Sequence, residues 1–397
     1  HIIGDAFVDL FSFLDGDWPE KGGDATLNQP IQTYAGGSST NTATHLNALL
    51  NYFQRPQQQD AMELTLHTIL NSNDQFGKVL LNHAEKHKFE LVNCKQDDDN
   101  AATGHCVAIV AGQERSFMTY RGCVDNFDAH NLDTQRIING NNNIHHVHLH
   151  IAGFFNLSNF QNGKITQQIQ LIKKQRQELY PSLRTIVSMV PQHDATKLWD
   201  GGIDELIPCL DFLIMNDLEA LHIMQQGKKR RQQKQNTNGA TTTNSNNSPA
   251  DAIETLVEDC AAYFGEISPQ TCVILTKGPL GAVALQHGTM IATQSTVSVK
   301  PIDPTGAGDS FSAGFLYGLW AWRQQQQQSV SSSPVESSHL PQFAWPAEAL
   351  EQALLWGCSM GTSSVLVRGA SIPSSKEDIE QFYAKINETN GHQRTTA

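Results

Sequence analysis

The chain has 397 residues, a formal charge of −13 and a hydrophobic fraction of 39%. That length holds one large α/β domain or two smaller ones, with enough apolar content for a core. The acidic balance argues against a nucleic-acid-binding surface, and no apolar run is long enough to span a membrane. The seven cysteines (Cys94, Cys106, Cys123, Cys209, Cys260, Cys272 and Cys358) are scattered and never form a CxxC pair. This usage fits a reducing, cytoplasmic setting better than a disulfide scaffold or a zinc site.

The chain opens at His1 with no initiator Met, already inside an apolar strand (Ile2, Ile3), so an upstream segment is expected and a targeting peptide stays open. Gly4-Asp5-Ala6-Phe7-Val8-Asp9 puts a carboxylate at the end of that strand. Phe11–Tyr34 lacks helical periodicity and reads as extended. Ala35-Gly36-Gly37-Ser38-Ser39-Thr40-Asn41 is a diglycine turn leading into a helix with Ala43, Leu46 and Leu50 on one face. The close backbone approach at Gly36 and Gly37 suits a polyhydroxylated ligand, and Asn41 can both donate and accept. Strands are expected at Leu66–Leu70, His146–Ile151, Thr185–Val190, Phe212–Met215 and Cys272–Leu275. Cys106–Val110 and Ser116–Tyr120 flank a short polar turn and read as a hairpin. Together with Phe11–Tyr34 it gives two extended excursions, about residues 11–35 and 101–125, able to form a small β flap.

His146, His148 and His150 alternate, so a strand puts all three on one face, beside a pocket. A zinc site there lacks a fourth ligand at a familiar spacing. Asp97-Asp98-Asp99 reads as a solvated loop. Asn216-Asp217-Leu218-Glu219 follows a strand, a natural place for groups that orient Mg²⁺ through water. Ile253, Leu256, Val257, Cys260, Ala261 and Phe264 recur at helical spacing. Four polar segments, 54–60, 139–143, 227–249 and 324–342, lack apolar periodicity and read as insertions. The basic run Lys228-Lys229-Arg230-Arg231 in the third reads as a solvated charge run.

The most informative run is Asp303-Pro304-Thr305-Gly306-Ala307-Gly308-Asp309-Ser310-Phe311, directly before an apolar helical segment (Phe311, Phe315, Leu316, Leu319). Gly306, Ala307 and Gly308 leave amides unobstructed at a helix N-terminus, where free donors and the helix dipole favour a phosphate. Asp309 beside that anion suits a general base for a hydroxyl nucleophile. No Gly-Lys-Ser/Thr ends the run, so it is not a P-loop, and its glycine spacing is not a dinucleotide fingerprint.

In this order these motifs resemble the PfkB (ribokinase-like) family of carbohydrate kinases, across nearly the whole chain outside the polar segments. Asn73-Asp74-Gln75-Phe76-Gly77, Thr103-Gly104, Tyr120-Arg121-Gly122, Ile151-Ala152-Gly153-Phe154 and Thr276-Lys277-Gly278 share in the resemblance. It implies a single domain over 1–397: a three-layer α/β/α fold with a mostly parallel central sheet and a small β-sheet lid. It implies ATP and Mg²⁺ as reactants, a small sugar as acceptor, and a lid that can also pair two subunits.

By position, the resemblance makes Asp309 the catalytic base and Gly306, Ala307 and Gly308 the anion hole. Asn216 and Glu219 orient Mg²⁺ and phosphate. Asp9, Gly36, Gly37 and Asn41 grip sugar hydroxyls, while Thr276 and Gly278 lie against the nucleotide. Asp303 and the Thr305 carbonyl help hold a monovalent cation such as K⁺, as in some members. Two departures stand out. Val190-Pro191-Gln192-His193-Asp194 lacks the acidic or amide residue usual after that strand, with Gln192 or Asp194 as substitutes. Phe7 replaces an Asn that some members carry before the sugar-binding Asp. Arg115 and Arg121 could face an acidic, ketodeoxygluconate-like sugar or lie exposed on the lid. The alternatives are a nucleoside kinase of the same family, with Phe7 or Phe13 as platform for the base, and a non-catalytic sugar sensor or scaffold.

Overall fold

The computed structural model describes residues 1–54, 61–96, 100–111, 114–140, 146–235, 249–330 and 344–395. In chain order its elements are β1 (Ile2–Gly4), β2 (Phe7–Phe13), β3 (Gln32–Gly36), α1 (Ser38–Phe53), β4 (Thr65–Thr68), α2 (Gln75–His87) and β5 (Glu90–Asn93). Then follow β6 (His105–Ala111), β7 (Glu114–Tyr120), α3 (Thr134–Asn139), β8 (Val147–Ala152), α4 (Lys164–Leu179), β9 (Thr185–Val190), α5 (Ile203–Leu206), β10 (Phe212–Asn216) and α6 (Asp217–Gln235). The chain continues with α7 (Pro249–Ile267), β11 (Cys272–Thr276), β12 (Ala282–Gln286), β13 (Thr289–Gln294), α8 (Ala307–Val330), α9 (Ala347–Ser364) and α10 (Lys376–Thr395).

Nine strands form one sheet in the order β13-β12-β11-β10-β9-β8-β1-β4-β5. From β11 to β5 every pairing is parallel, and β12 and β13 add an antiparallel edge. Successive residues of a strand face opposite sides, so β10 sends Leu213 and Met215 into one core and Phe212 and Ile214 into another. The first core is covered by Ile165 and Ile169 of α4, Ile223 of α6 and Phe264 of α7. Phe311 and Phe315 of α8, Leu354 of α9 and Phe382 of α10 cover the second. Three layers result, as the resemblance implies.

Because β1 lies between β4 and β8, the chain winds one way from β1 and the other way from β8. That reversal opens a crevice beyond the carboxyl ends of β1 and β8, where ligands of open α/β sheets bind.

A second sheet, β3-β2-β6-β7, holds the extended excursions. It starts earlier than residue 11, because β2 begins at Phe7 only two residues after β1. Asp9 therefore lies within the small sheet, and Asp5 is the carboxylate that ends the first strand. Residues 122–126 leave the small sheet as a 3₁₀ turn.

Two polar segments are partly helical rather than irregular. Helix α6 continues through Gly227 to Gln235, and α8 runs through the glutamines to Val330. Arg230 is not a solvated charge: it ion-pairs with Asp204 and donates to the Trp199 carbonyl. The rest of those segments, most of 54–60 and 139–143, and Asp97–Asp99 lie outside the described residues.

Helix α8 is held by close contact with α9. A Cβ on Gly314 would fall 2.4 Å from the Trp356 carbonyl oxygen, and one on Gly318 would fall 2.6 Å from the Ala353 Cα. Neither obstacle is a flexible side-chain end, so Gly314→Val should cost roughly 3 kcal/mol by overpacking, read as a lowered urea midpoint.

Candidate functional site

The site is assembled where α1 and α8 begin. Gly37, at φ 89, follows β3 and caps α1 with no side-chain bond of its own. The cap comes from Asp5 instead. Its Oδ1 accepts the Ser38 N–H at 3.0 Å, and its backbone carbonyl accepts the Ser39 hydroxyl at 2.6 Å. Asn156, just past β8, donates to the other Asp5 oxygen at 2.9 Å, closing a bridge across the crevice.

At the start of α8, Gly306 takes a left-handed φ of 77. The turn closes with Ala307 N–H donating to Pro304 O at 3.3 Å and Ser310 N–H to Gly306 O at 2.9 Å. The Ala307 amide is therefore engaged, which corrects the expected three-amide anion hole. Gly306, Gly308 and Asp309 N–H have no backbone acceptor among the described residues. A Cβ on Gly308 would meet nothing within 4 Å, so this turn faces open space.

Asp309 is buried, and three side chains donate to it: Ser38 Oγ to Oδ1 at 2.7 Å, Gln192 Nε2 to Oδ1 at 3.2 Å and Asn41 Nδ2 to Oδ2 at 2.8 Å. The Asn41 Oδ1 is buried and has no partner among the described residues, an acceptor waiting for a donor. Asp9 lies over Gly36, where a Cβ would fall 2.2 Å from its Oδ2.

Burial pushes Asp309 up to about 6, against the three donated hydrogen bonds. Asp9 rises to about 6 by burial and by the charges of Asp309 and Asp303. Asp5 and Glu219 each rise to about 7, burial again leading, with the charge of Asp309 adding to both. These folded values exceed the ordinary ones, so the stability each contributes is present below about pH 4 and lost as pH rises through 6 to 7.

The Asn216–Glu219 pair forms a capping box on α6. Glu219 N–H donates to Asn216 Oδ1 at 2.8 Å, and Asn216 N–H donates to Glu219 Oε2 at 3.0 Å. Glu219 Oε1 has no hydrogen-bond donor among these contacts, so an oxygen ligand for hydrated Mg²⁺ remains. Thr276 ends β11, and Gly278 follows with open space about its Cα. Asp303 fastens the turn: Oδ1 accepts Thr305 N–H and Oγ, and Oδ2 accepts Gly369 N–H.

Several expectations are corrected. Phe7 is buried in the core against Gly104, so its ring offers no open face as a platform for a base. Phe13 lies beneath the Arg368 guanidinium. Arg121 ion-pairs with Asp125 and donates to the Asn156 carbonyl, so it is not turned to an acidic sugar. The Arg115 side chain lies outside the described residues. Asp194 is engaged locally by Thr196 and Trp199, leaving Gln192 to face the site.

His148 and His150 share the Ser188 hydroxyl, and burial keeps both neutral. They line a cavity of about 230 Å³ at the amino-terminal edge of the sheet, with His1, Val147 and Ile186. That edge is opposite the carboxyl ends, so His150 does not join this site. No cluster of three metal-ligating side chains occurs among the described residues. Reading the sequence missed Asp5, Ser38 and Asn156. Asp5 carried a signal, a carboxylate following the glycine that ends a strand.

A mostly parallel sheet with a small side sheet and a helix-start carboxylate is a ribokinase-type architecture. Residues 2–377 match the family model for the pfkB family carbohydrate kinases, and the chain belongs to that family. It is 24% identical over 249 residues to the adenosine kinase of Saccharomyces cerevisiae, an overlap of 62% of this chain and 63% of that protein. The chain thus spans less than two thirds of that relative's length. The ribokinase of Giardia lamblia has the same fold, with a TM-score of 0.64, 19% identity and coverage of 96% of this chain and 98% of that one. So does the ribokinase of Arabidopsis thaliana complexed with ribose and ATP, with a TM-score of 0.56, 18% identity and coverage of 96% and 97%. No helix among the described residues is long and apolar enough to cross a membrane.

The capping box makes a separable prediction. Asn216→Ala should cost ~1 kcal/mol of stability by thermal denaturation, from loss of the cap alone.

Proposed function

We propose that this chain is an ATP- and Mg²⁺-dependent kinase that phosphorylates a hydroxyl of a small neutral sugar, ribose- or fructose-like. The observation that carries the reading is Asp309: a buried carboxylate held by three donors, at the head of a helix with free amides and open space. In this reading Asp309 takes the acceptor hydroxyl proton as that oxygen forms its bond to the γ-phosphorus and the bond to ADP breaks. The amides of Gly306, Gly308 and Asp309 receive the charge on the transferring group. Asn41 Oδ1 and Asp9 accept from sugar hydroxyls. Thr276 and Gly278 flank the nucleotide, while Asn216 and Glu219 hold Mg²⁺ through water. When bound, Mg²⁺ neutralises charge on the phosphates. Asp303 and the Thr305 carbonyl would hold K⁺ beside the turn that Asp303 fastens, an assignment tested by comparing rates in K⁺ and Na⁺. The free state of all seven cysteines supports a reducing compartment.

A second reading, phosphorylation of a nucleoside, is favoured by the match to yeast adenosine kinase. The engaged Arg121 argues against an acidic sugar under either reading. Incubation of the chain with ATP, Mg²⁺ and each of D-ribose, D-fructose, ketodeoxygluconate and adenosine, read by product mass, separates them. Phosphorylated ribose or fructose supports the first reading, and phosphorylated adenosine alone replaces it with the second. Turnover of none leaves the sensor or scaffold.

Asp309→Asn should lower kcat about 10³-fold with acceptor binding retained, because the amide cannot take the proton. Since the base must be ionised, log(kcat/KM) should fall with unit slope as pH drops below about 6. A flat acid limb, or turnover by the variant, would refute the assignment.

We also read the small sheet as a lid that pairs two copies. Its edge strand β7 exposes Phe117 and Met118 at 55% and 57%, and neighbours in a strand face opposite sides, so each face of that edge carries an exposed apolar side chain. Light scattering should show a dimer that Phe117→Glu converts to monomer.

A further inference from the structure

Gln192 follows β9 and Pro191 with φ 63, a left-handed backbone that a glutamine adopts at a cost. Its side chain reaches the carboxylate at the head of α8, where Nε2 donates to Asp309 Oδ1 at 3.2 Å. Ser38 Oγ donates to the same oxygen at 2.7 Å. A carboxylate oxygen offers two in-plane lone pairs, so Oδ1 has none left. Oδ2 accepts only Asn41 Nδ2, at 2.8 Å, among the described residues.

We infer that Gln192 is a positioning residue: with Ser38 it fills Oδ1, so that Asp309 receives the acceptor's proton on Oδ2, beside the unpartnered Asn41 Oδ1. The inference rests on Asp309 being the base. It assigns the strained turn a purpose, since the left-handed conformation aims the amide at the helix head. It also makes a hydroxyl next to the reacting one, donating to Asn41 Oδ1, part of what the acceptor must present.

Groups able to charge around Asp309 are Asp5 beyond β1, Asp9 on β2, Asp303 before α8 and Glu219 on α6, all acidic. Burial keeps the Asp309 carboxyl reluctant to ionise and its charge raises Asp5, Asp9 and Glu219 in turn, whereas the amide of Gln192 favours its ionisation. Removing the amide therefore raises the pH at which Asp309 titrates.

Gln192→Gly relaxes the backbone and removes the donor. Gln192→Asn also tolerates the left-handed turn and keeps an amide, but it is one methylene too short to reach. For both variants, kcat on the better of D-ribose and adenosine should fall about tenfold with KM held, and Tm should be unchanged or raised. The acid limb should move up by about one pH unit, the scale of one hydrogen bond to a charged group. Carbon NMR of the Asp309 carboxyl, assigned through Asp309→Asn, should show the same displacement without an acceptor. Wild-type kcat and titration in Gln192→Gly would overturn the inference, as would kcat and Tm falling together with the titration unmoved. Should Asp309→Asn itself retain turnover, the base assignment fails; an inactive Asp309→Asn beside a normal Gln192→Gly fails Gln192 alone.

Discussion

The site depends on one contact between two helix starts that are far apart in the chain. Ser38 and Asn41 lie on the first turn of α1, Asp309 on the first turn of α8, and the hydrogen bonds between them span 271 and 268 residues. Those bonds form only because the helices share a core, in which Ala43, Leu46 and Leu50 of α1 meet Ala313, Leu316 and Tyr317 of α8. Apolar burial fixes the helix pair, and the polar contact at its end inherits that precision. The glycines that let α8 lie against α9 belong to the same support.

The electrostatics of this contact run against stability. Asp5, Asp9, Asp309 and Glu219 are crowded and desolvated, and no Lys or Arg forms an ion pair with any of them among the described residues. Their raised pKa values express that cost. The three neutral donors lower the Asp309 pKa only partway against burial, where a salt bridge would lower it further. Ser38, Asn41 and Gln192 are all neutral.

The sequence shows its local chemistry well. The Gly306–Asp309 turn, the diglycine before α1 and the Asn216–Glu219 start of α6 are each contiguous, and each is found at a helix head. Strand β9 spans its expected residues, and four other strands differ by one or two at their ends. Three things were not legible. The β12–β13 edge turns on His287-Gly288, both at positive φ, a two-residue hairpin that short apolar runs did not reveal. The glutamines after Gln324 have no apolar period, yet they extend a helix nucleated by the apolar residues before them. Gln192 is legible as a substitute and Asp5 as a strand-end carboxylate, but nothing in their own neighbourhood names their partners, 117 and 33 residues away.

The small sheet is tied to the large one at the places where the site is built. Asp5-Ala6 links β1 to β2, Gly37 links β3 to α1, and Thr103-Gly104 leads into β6. Asp9 and Gly36 belong to the small sheet, while Asn41 and Asp309 are anchored by the helix core beneath. Any displacement of one sheet against the other must be absorbed at links such as Asp5-Ala6, Gly37 and Thr103-Gly104. Asp5 also caps α1 and binds Asn156, so its bonds tie that hinge to the large sheet. Ser38 joins the two places, its N–H bonding Asp5 and its hydroxyl bonding Asp309. Asp9 on the small sheet and Asn41 on α1 thus stand on the two bodies that this linkage joins.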